Sequence, residues 1–168
     1  MTVTLEEQPT LERLLGTVGQ AMTRDVVLLA SDMTAAMALR RLEEQAVSGA
    51  PVVERGRVVG VITQRDLLVP ILVDNAGGFR ALGVGRRPSR LEGLQVSDLM
   101  TEEPVCAELD WPLVQAVRTM LVNGVNRLPV VDPTGRPVGV LTRDDVLGAV
   151  AASSQDAPNQ SPGRGAES

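Results

Sequence analysis

The sequence lacks three residue types that often carry enzymatic chemistry. Among its 168 residues there is no histidine and no tyrosine, and all 16 basic residues are arginine, so lysine is absent as well. Without histidine, the chain has no histidine general base and no Ser-His-Asp triad. Without lysine, it has no Schiff base and no P-loop lysine. We therefore expect no catalytic residues and no enzymatic activity.

Cysteine is almost absent too, and Cys106 is its single occurrence. One cysteine without any histidine cannot build a Cys/His zinc site within one chain, so we expect no metal and no required cofactor. A lone cysteine also cannot form an intrachain disulfide, which fits a reducing compartment. The N-terminal residues are acidic where a signal peptide is basic, and no apolar run is long enough to span a membrane. We expect a cytoplasmic protein with no membrane partner.

Aromatic residues are scarce, with one tryptophan and one phenylalanine, although 43% of the chain is hydrophobic. The core must therefore consist mainly of Val, Leu, Ala and Met. The net charge of -5 disfavours a phosphate backbone as partner, and the lack of aromatics disfavours base stacking. The composition thus argues against nucleic-acid binding.

What the chain does contain is an internal repeat. Residues 22–53 align without gaps with residues 100–131, so that Met22-Thr23 matches Met100-Thr101. After one inserted residue in the second copy, residues 60–66 align with residues 139–145. Self-similarity of this kind indicates one structural unit that occurs twice.

Each copy begins with a short apolar run, at residues 26–29 and 105–109, that predicts a strand. Asp32 and Asp110 then stand where a helix N-cap is expected. Apolar residues at helical spacing follow in both copies. They are Ala35, Ala38, Leu39, Leu42 and Ala46 in the first copy, and Leu113, Ala116, Val117, Met120 and Gly124 in the second.

Two β-branched runs around a tight turn, at residues 54–57 and 132–136, next predict a hairpin in each copy. A second helix is expected to begin near Thr63 and Thr142. The unit is therefore β-α-β-β-α, and the fold class is α/β (α+β). Because one such unit cannot cover both faces of its own sheet, we expect the two to pack as a pseudo-twofold pair.

Composition divides the chain into five parts. We predict a partly helical N-terminal segment at 1–17, a first repeat at 18–72 and a second repeat at 96–152. A glycine- and arginine-rich linker loop at 73–95 joins the repeats, and the tail at 153–168 is polar enough to be disordered.

The repeated motif Pro-Val-Val, turn, Gly-Val-Ile-Thr-x-x-Asp resembles the CBS domain family, named after cystathionine β-synthase. The best matches are residues 60–67 and 139–146, together with residues 126–132. The resemblance implies a Bateman module, in which paired repeats bind an adenosine-containing ligand in the clefts between them. The expected ligands are AMP, ADP or ATP, ahead of S-adenosylmethionine.

The resemblance also implies which residues bind. Asp66 and Asp145 would accept the ribose hydroxyls, with Thr63 and Thr142 as their partners. The backbone before the proline of each Pro-Val-Val run would meet the adenine edge, namely at Val47, Ser48, Gly49, Val125, Asn126 and Arg127.

Because lysine and histidine are absent, a phosphate would have to be bound by arginine, hydroxyl and backbone N–H groups. Arg127 matches a basic family position that contacts phosphate, and Arg65 and Arg143 are further candidates because each stands at a helix start. The residue that corresponds to Arg127 in the first copy is Gly49, so the two clefts should not be equivalent.

Two functions remain open. The first is a stand-alone regulatory module that binds an adenine nucleotide and signals to an unidentified partner protein, as a homodimer. The second is a ligand-free structural or oligomerisation module. In that case Thr-x-x-Asp would only cap helices, because Ser/Thr followed three residues later by an acid is also a capping signature.

Overall fold

The computed structural model describes residues 15–73 and 90–155. A short helix, α1 Val18–Ala21, precedes the five elements of the first repeat, which are β1 Leu29–Ala30, α2 Ala35–Glu44, β2 Gly49–Glu54, β3 Arg57–Thr63 and α3 Gln64–Val73. The second repeat follows α4 Arg90–Gly93, a 3-10 turn Val96–Asp98 and β4 Thr101–Glu102. Its elements are β5 Ala107–Glu108, α5 Leu113–Asn123, β6 Arg127–Val131, β7 Pro137–Thr142 and α6 Arg143–Gln155.

The two copies of β-α-β-β-α confirm the predicted fold class. In each repeat the short first strand runs parallel to the second, which forms an antiparallel hairpin with the third. The first hairpin turns through Arg55 and Gly56, both at positive φ, as a two-residue turn requires. The longer second turn ends at Gly135, with φ of 82°.

The predicted N-caps Asp32 and Asp110 are wrong. Both lie in the turn between the first strand and the helix, and in both repeats two further residues precede the first residue of the helix. Thr34 caps α2, because its side-chain oxygen accepts a hydrogen bond from the N–H of Met37 at 3.2 Å. Pro112 precedes α5 and makes no side-chain cap, although its fixed φ suits a helix start.

The apolar stripes are confirmed over their first three turns and end earlier than predicted. Residues 46 and 124 do not extend the buried face of the helices. Ala46 and Gly124 instead adopt left-handed φ values of 52° and 63° just after the last helical turn, where the chain leaves the helix. This conformation terminates helices, and Gly124 adopts it without the steric penalty that Ala46 carries.

The segment that precedes each repeat pairs with the edge of the other repeat's sheet. Thr23 pairs with Val140 of β7 through two backbone hydrogen bonds of 3.0 and 2.9 Å. In the same way, Thr101 of β4 pairs with Val61 of β3. We name residues 18–23 and 91–102 the leading segments.

The leading segments also complete the two hydrophobic cores. Val18 and Met22 are buried in the core of the second repeat, whereas Leu91 and Val96 are buried in the core of the first. Neither core is therefore complete without residues that precede the other repeat. The repeats are joined by two reciprocal exchanges rather than by a simple face-to-face contact.

Several predictions lie outside the described residues. These concern the N-terminal segment up to residue 14, the linker at 74–89 and the tail from residue 156. Within the described residues, no helix is both long and apolar enough to cross a bilayer.

Candidate functional site

A cleft of about 350 Å³ opens between the two repeats, and we name it cleft A. Small-molecule pockets commonly measure about 300–1,000 Å³, so the cleft has room for one small ligand. Seven of the residues predicted from sequence line it together: Val47, Ser48, Gly49, Asn126, Arg127, Thr142 and Arg143.

The other predicted residues lie elsewhere. Thr63, Arg65, Asp66 and Val125 do not line cleft A; Thr63 and Asp66 stand in the first repeat where Thr142 and Asp145 stand in the second. Asp145 does not border cleft A directly either. Its hydrogen-bond partners Thr23 and Thr142 both line the cleft.

Both Thr-x-x-Asp motifs form reciprocal capping interactions. In the second repeat, the backbone N–H and the hydroxyl of Thr142 donate to Oδ2 of Asp145 at 2.7 and 2.6 Å. In the first repeat, Thr63 donates to Oδ2 of Asp66 at 2.8 and 2.7 Å. These bonds hold each carboxylate in place through one oxygen and leave Oδ1 available to other donors.

The remaining oxygen distinguishes the two carboxylates. Oδ1 of Asp145 accepts a hydrogen bond of 3.1 Å from the hydroxyl of Thr23, in the leading segment of the first repeat. Thr101, which corresponds to Thr23, forms no such bond to Asp66 in the described part of the chain. Asp145 thus ties the exchanged segment to the start of α6 beside cleft A.

The side chain of Arg127 links the two repeats. Its Nη1 donates to the carbonyl oxygen of Gly49 at 2.7 Å, and its Nη2 donates to Oγ of Ser48 at 2.6 Å. Burial lowers the pKa of the Arg127 guanidinium, and the negative charge of Asp66 opposes that shift. An arginine nevertheless stays protonated, so a half-buried cation bridges the repeats.

The walls of cleft A combine an apolar surface with balanced charge. Val26, Val27, Val47 and Pro51 supply the apolar part of the lining. Two cations, Arg127 and Arg143, and two anions, Asp25 and Asp144, border it as well. An apolar surface beside arginine donors suits a ligand that consists of a flat base joined to an anionic group.

Sequence reasoning missed eight lining residues: Thr23, Asp25, Val26, Val27, Ala46, Pro51, Val140 and Asp144. The duplicated Met-Thr pair was a visible sign that Thr23 mattered, because it recurs as Met100-Thr101. Its position at the cleft was not visible, since Thr23 reaches cleft A only by pairing with a strand of the other repeat.

The family model for the CBS domain matches residues 18–77 and 96–152. The two matches together cover more than half of the chain and coincide with the two structural repeats. The chain therefore belongs to the CBS domain family, as the tandem motif indicated.

Individual relatives agree with this assignment. A CBS domain-containing protein of Dictyostelium discoideum is 34% identical over 152 residues, which are 86% of this chain and 97% of that protein. An inosine-5'-monophosphate dehydrogenase of Methanocaldococcus jannaschii is 30% identical over 146 residues. That match spans 86% of this chain but only 26% of the enzyme.

Among solved structures, CBSX2 in complex with AMP is similar, with a TM-score of 0.68 and 31% identity. The match covers 83% of this chain and 98% of that chain. CBSX2 is a chloroplastic CBS domain-containing protein of Arabidopsis thaliana.

The link between Thr23 and Asp145 generates a first prediction. Replacing Thr23 by valine keeps the side-chain shape but removes the donor to Oδ1, so we expect a loss of about 1 kcal/mol in unfolding free energy. The measurement is urea denaturation followed by circular dichroism. Thr101→Val is the matched control and should lose less than half as much, because its hydroxyl makes no bond to Asp66. Equal losses in both variants would contradict this account.

Proposed function

We propose that this chain is a regulatory module that binds an adenine nucleotide (AMP, ADP or ATP) in cleft A. The observation that carries the proposal is the convergence on one cleft of residues from both repeats: the backbone around Ser48, the hydroxyl of Thr142 and two arginines. Ser48 lies in the first repeat, whereas Thr142 and both arginines lie in the second, so only the pairing of the repeats brings all of them to one cleft.

The lining suggests how the nucleotide would lie. The apolar residues Val27, Val47 and Pro51 would contact the adenine ring, and backbone groups near Ser48 would meet its polar edge. Thr142 lines the cleft and donates a hydrogen bond to Asp145, so this pair would bind the ribose hydroxyls. Arg143, at the first position of α6, would hold the phosphate, because its guanidinium matches phosphate geometry and the helix start favours an anion.

The known complex of a relative supports this class of ligand. CBSX2, at 31% identity, is described in complex with AMP. A match of this kind over 98% of that chain makes a shared ligand class a reasonable inference for the present chain.

A ligand-free structural module is the second candidate, and one observation favours it. Both Asp66 and Asp145 already accept two hydrogen bonds from their own threonines, so capping alone accounts for their presence. Capping does not exclude binding, however, since an ionised carboxylate has about four acceptor positions.

As a regulator, the module would act on a partner rather than on a substrate. A ligand in cleft A contacts both repeats, so it would favour one arrangement of the repeats over another, by no more than its difference in affinity for the two. An unidentified partner protein would respond to that arrangement. We expect this to occur in the cytoplasm and without catalysis by the chain itself.

Isothermal titration calorimetry tests the proposal. We expect AMP, ADP or ATP to bind wild type and Arg143→Gln to weaken that binding about tenfold, because one charged hydrogen bond to phosphate is worth roughly 1.5 kcal/mol or more. Adenosine, which has no phosphate, should bind both proteins equally. Arg118→Gln is the matched control, since Arg118 is exposed on α5 and does not line cleft A.

Two results would count against the proposal. If neither AMP, ADP, ATP nor S-adenosylmethionine binds the folded wild type, the ligand-free module is the better description. If Arg143→Gln and Arg118→Gln weaken AMP binding equally, the phosphate does not lie at the start of α6.

We also propose that the module forms a homodimer through α3 and α6. Leu68 and Val69 of α3 are about half exposed, as are Leu147 and Val150 of α6. Leu68 and Leu147 occupy equivalent positions in the two repeats, so the same apolar feature is present twice. A second copy of the chain could cover both by twofold pairing, which is the commonest arrangement of oligomers.

Sedimentation velocity checks this proposal. The wild type should sediment as a dimer at micromolar concentration, and Leu147→Arg should sediment as a monomer because it places a charge in the apolar contact. Leu121→Arg is the control, because Leu121 is 77% exposed on α5 and its equivalent in the first repeat is Glu43. A monomeric wild type, or equal effects of the two substitutions, would overturn it.

A further inference from the structure

Two carboxylates, those of Asp25 and Asp144, line cleft A together with the guanidinium groups of Arg127 and Arg143. All four side chains are charged near neutral pH, so the charged groups of the lining sum to zero. A cleft that attracts an anion normally carries an excess of positive charge. The two carboxylates remove that excess, although binding of a nucleotide does not require them.

The two arginines are not equally available to a phosphate. The guanidinium of Arg127 already donates to the carbonyl oxygen of Gly49 and to Oγ of Ser48, at 2.7 and 2.6 Å. Arg143, in contrast, is exposed at the first position of α6. Arg143 is therefore the cation that a phosphate in cleft A would meet first.

Negative charge accompanies Arg143 in the lining of the cleft. Asp144 follows it directly in the first turn of α6, and both residues line the cleft. Asp25 comes two residues after Thr23, whose backbone pairs with Val140 through bonds of 3.0 and 2.9 Å, so the wall that carries Asp25 is fixed against the second repeat. A phosphate bound by Arg143 would therefore lie near at least one carboxylate, and each added phosphate would be repelled more strongly.

The fold does not require a carboxylate at position 144. Arg65 stands at the equivalent position of the first repeat, directly before Asp66. The hydrogen bonds from Thr63 to Asp66 measure 2.8 and 2.7 Å there, against 2.7 and 2.6 Å for the corresponding pair of the second repeat. The same helix start thus forms with either charge before the capping aspartate. The effect of Asp144 that has no counterpart in that framework is the negative charge it adds to cleft A.

We propose that Asp144 sets the charge selectivity of cleft A, so that the cleft binds AMP more tightly than ADP, and ADP more tightly than ATP. Specificity can arise from an unfavourable charge contact with one ligand as well as from good contacts with another. Each added phosphate brings negative charge to a lining that has no net positive charge to receive it. This selectivity rests on the proposed function and deepens it, because it distinguishes among the three nucleotides of that class.

Isothermal titration calorimetry with AMP and ATP tests the selectivity in wild type, Asp144→Asn and Asp144→Arg. The buffer contains EDTA, so that divalent cations do not neutralise the phosphates. We expect wild type to favour AMP. The ratio of the ATP to the AMP dissociation constant should fall about threefold in Asp144→Asn and about tenfold in Asp144→Arg, because the first removes an exposed charge contact and the second reverses it. A ratio measured within one protein cancels effects that both ligands share.

Glu43→Gln and Glu43→Arg are the matched controls. Glu43 is exposed on α2 and does not line cleft A, so these variants change the net charge by the same amounts away from the site. The ratio should keep its wild-type value in both. Circular dichroism first establishes that each variant is folded, which we expect for Asp144→Arg because the first repeat has arginine at this position.

The outcomes separate charge selectivity from binding itself. If wild type binds neither AMP, ADP nor ATP, the proposed function fails and the selectivity fails with it. If wild type binds ATP as tightly as AMP or more tightly, the selectivity is overturned while the proposed function stands. An unchanged ratio in the folded Asp144 variants, or an equal change in the Glu43 variants, would overturn it in the same way.

Discussion

The exchange of leading segments is the constraint on which the rest of the structure depends. Thr23 completes the sheet of the second repeat, and β4 completes the sheet of the first. Since buried residues such as Val18 and Leu91 travel with these segments, separating the repeats would expose both cores at once. The relative position of the repeats is therefore fixed, and a cleft between them can keep a defined shape. The glycines at 60 and 139 permit the close approach, because a side chain there would meet Met100 or Met22.

The two repeats share one framework and differ in detail. Both carry the same capping arrangement at Thr-x-x-Asp, and both end their first helix in a left-handed residue. Two of the differences concern residues that line cleft A: Arg127 stands where the first repeat has Gly49, and Asp144 stands where it has Arg65.

Much of the fold could be predicted from the sequence because the repeat supplies two independent copies of each pattern. The helices, the hairpins and their order follow from apolar periodicity and turn residues, which are local properties. The errors have local causes as well. Asp32 and Asp110 are good capping residues, but the chain needs the intervening turn before it can start the helix, and Thr34 then takes the role in α2. Ala46 continues the apolar spacing, yet it ends the helix in a left-handed conformation that spacing does not reveal.

The site was less accessible to sequence reasoning, because its parts come from both repeats. The alignment shows that the Met-Thr pairs correspond. The backbone pairing between Thr23 and Val140 cannot be predicted from the residues of either segment alone. The alignment also shows that Arg127 stands where the first repeat has Gly49, but it does not show which groups the guanidinium contacts. Those contacts depend on acceptors at Ser48 and Gly49 that become neighbours only in the folded pair.

The central claim is that a nucleotide binds between the repeats at one cleft. The most direct measurement is a titration of the ¹⁵N-labelled chain with AMP, followed by the amide resonances in two-dimensional NMR. The account predicts saturable shifts at residues 23–27, 46–49 and 142–144, with much smaller shifts at residues 101–105 and 63–65, which correspond to the first and the last of these ranges. Shifts of equal size in both sets, or the absence of saturable shifts in either, would contradict it.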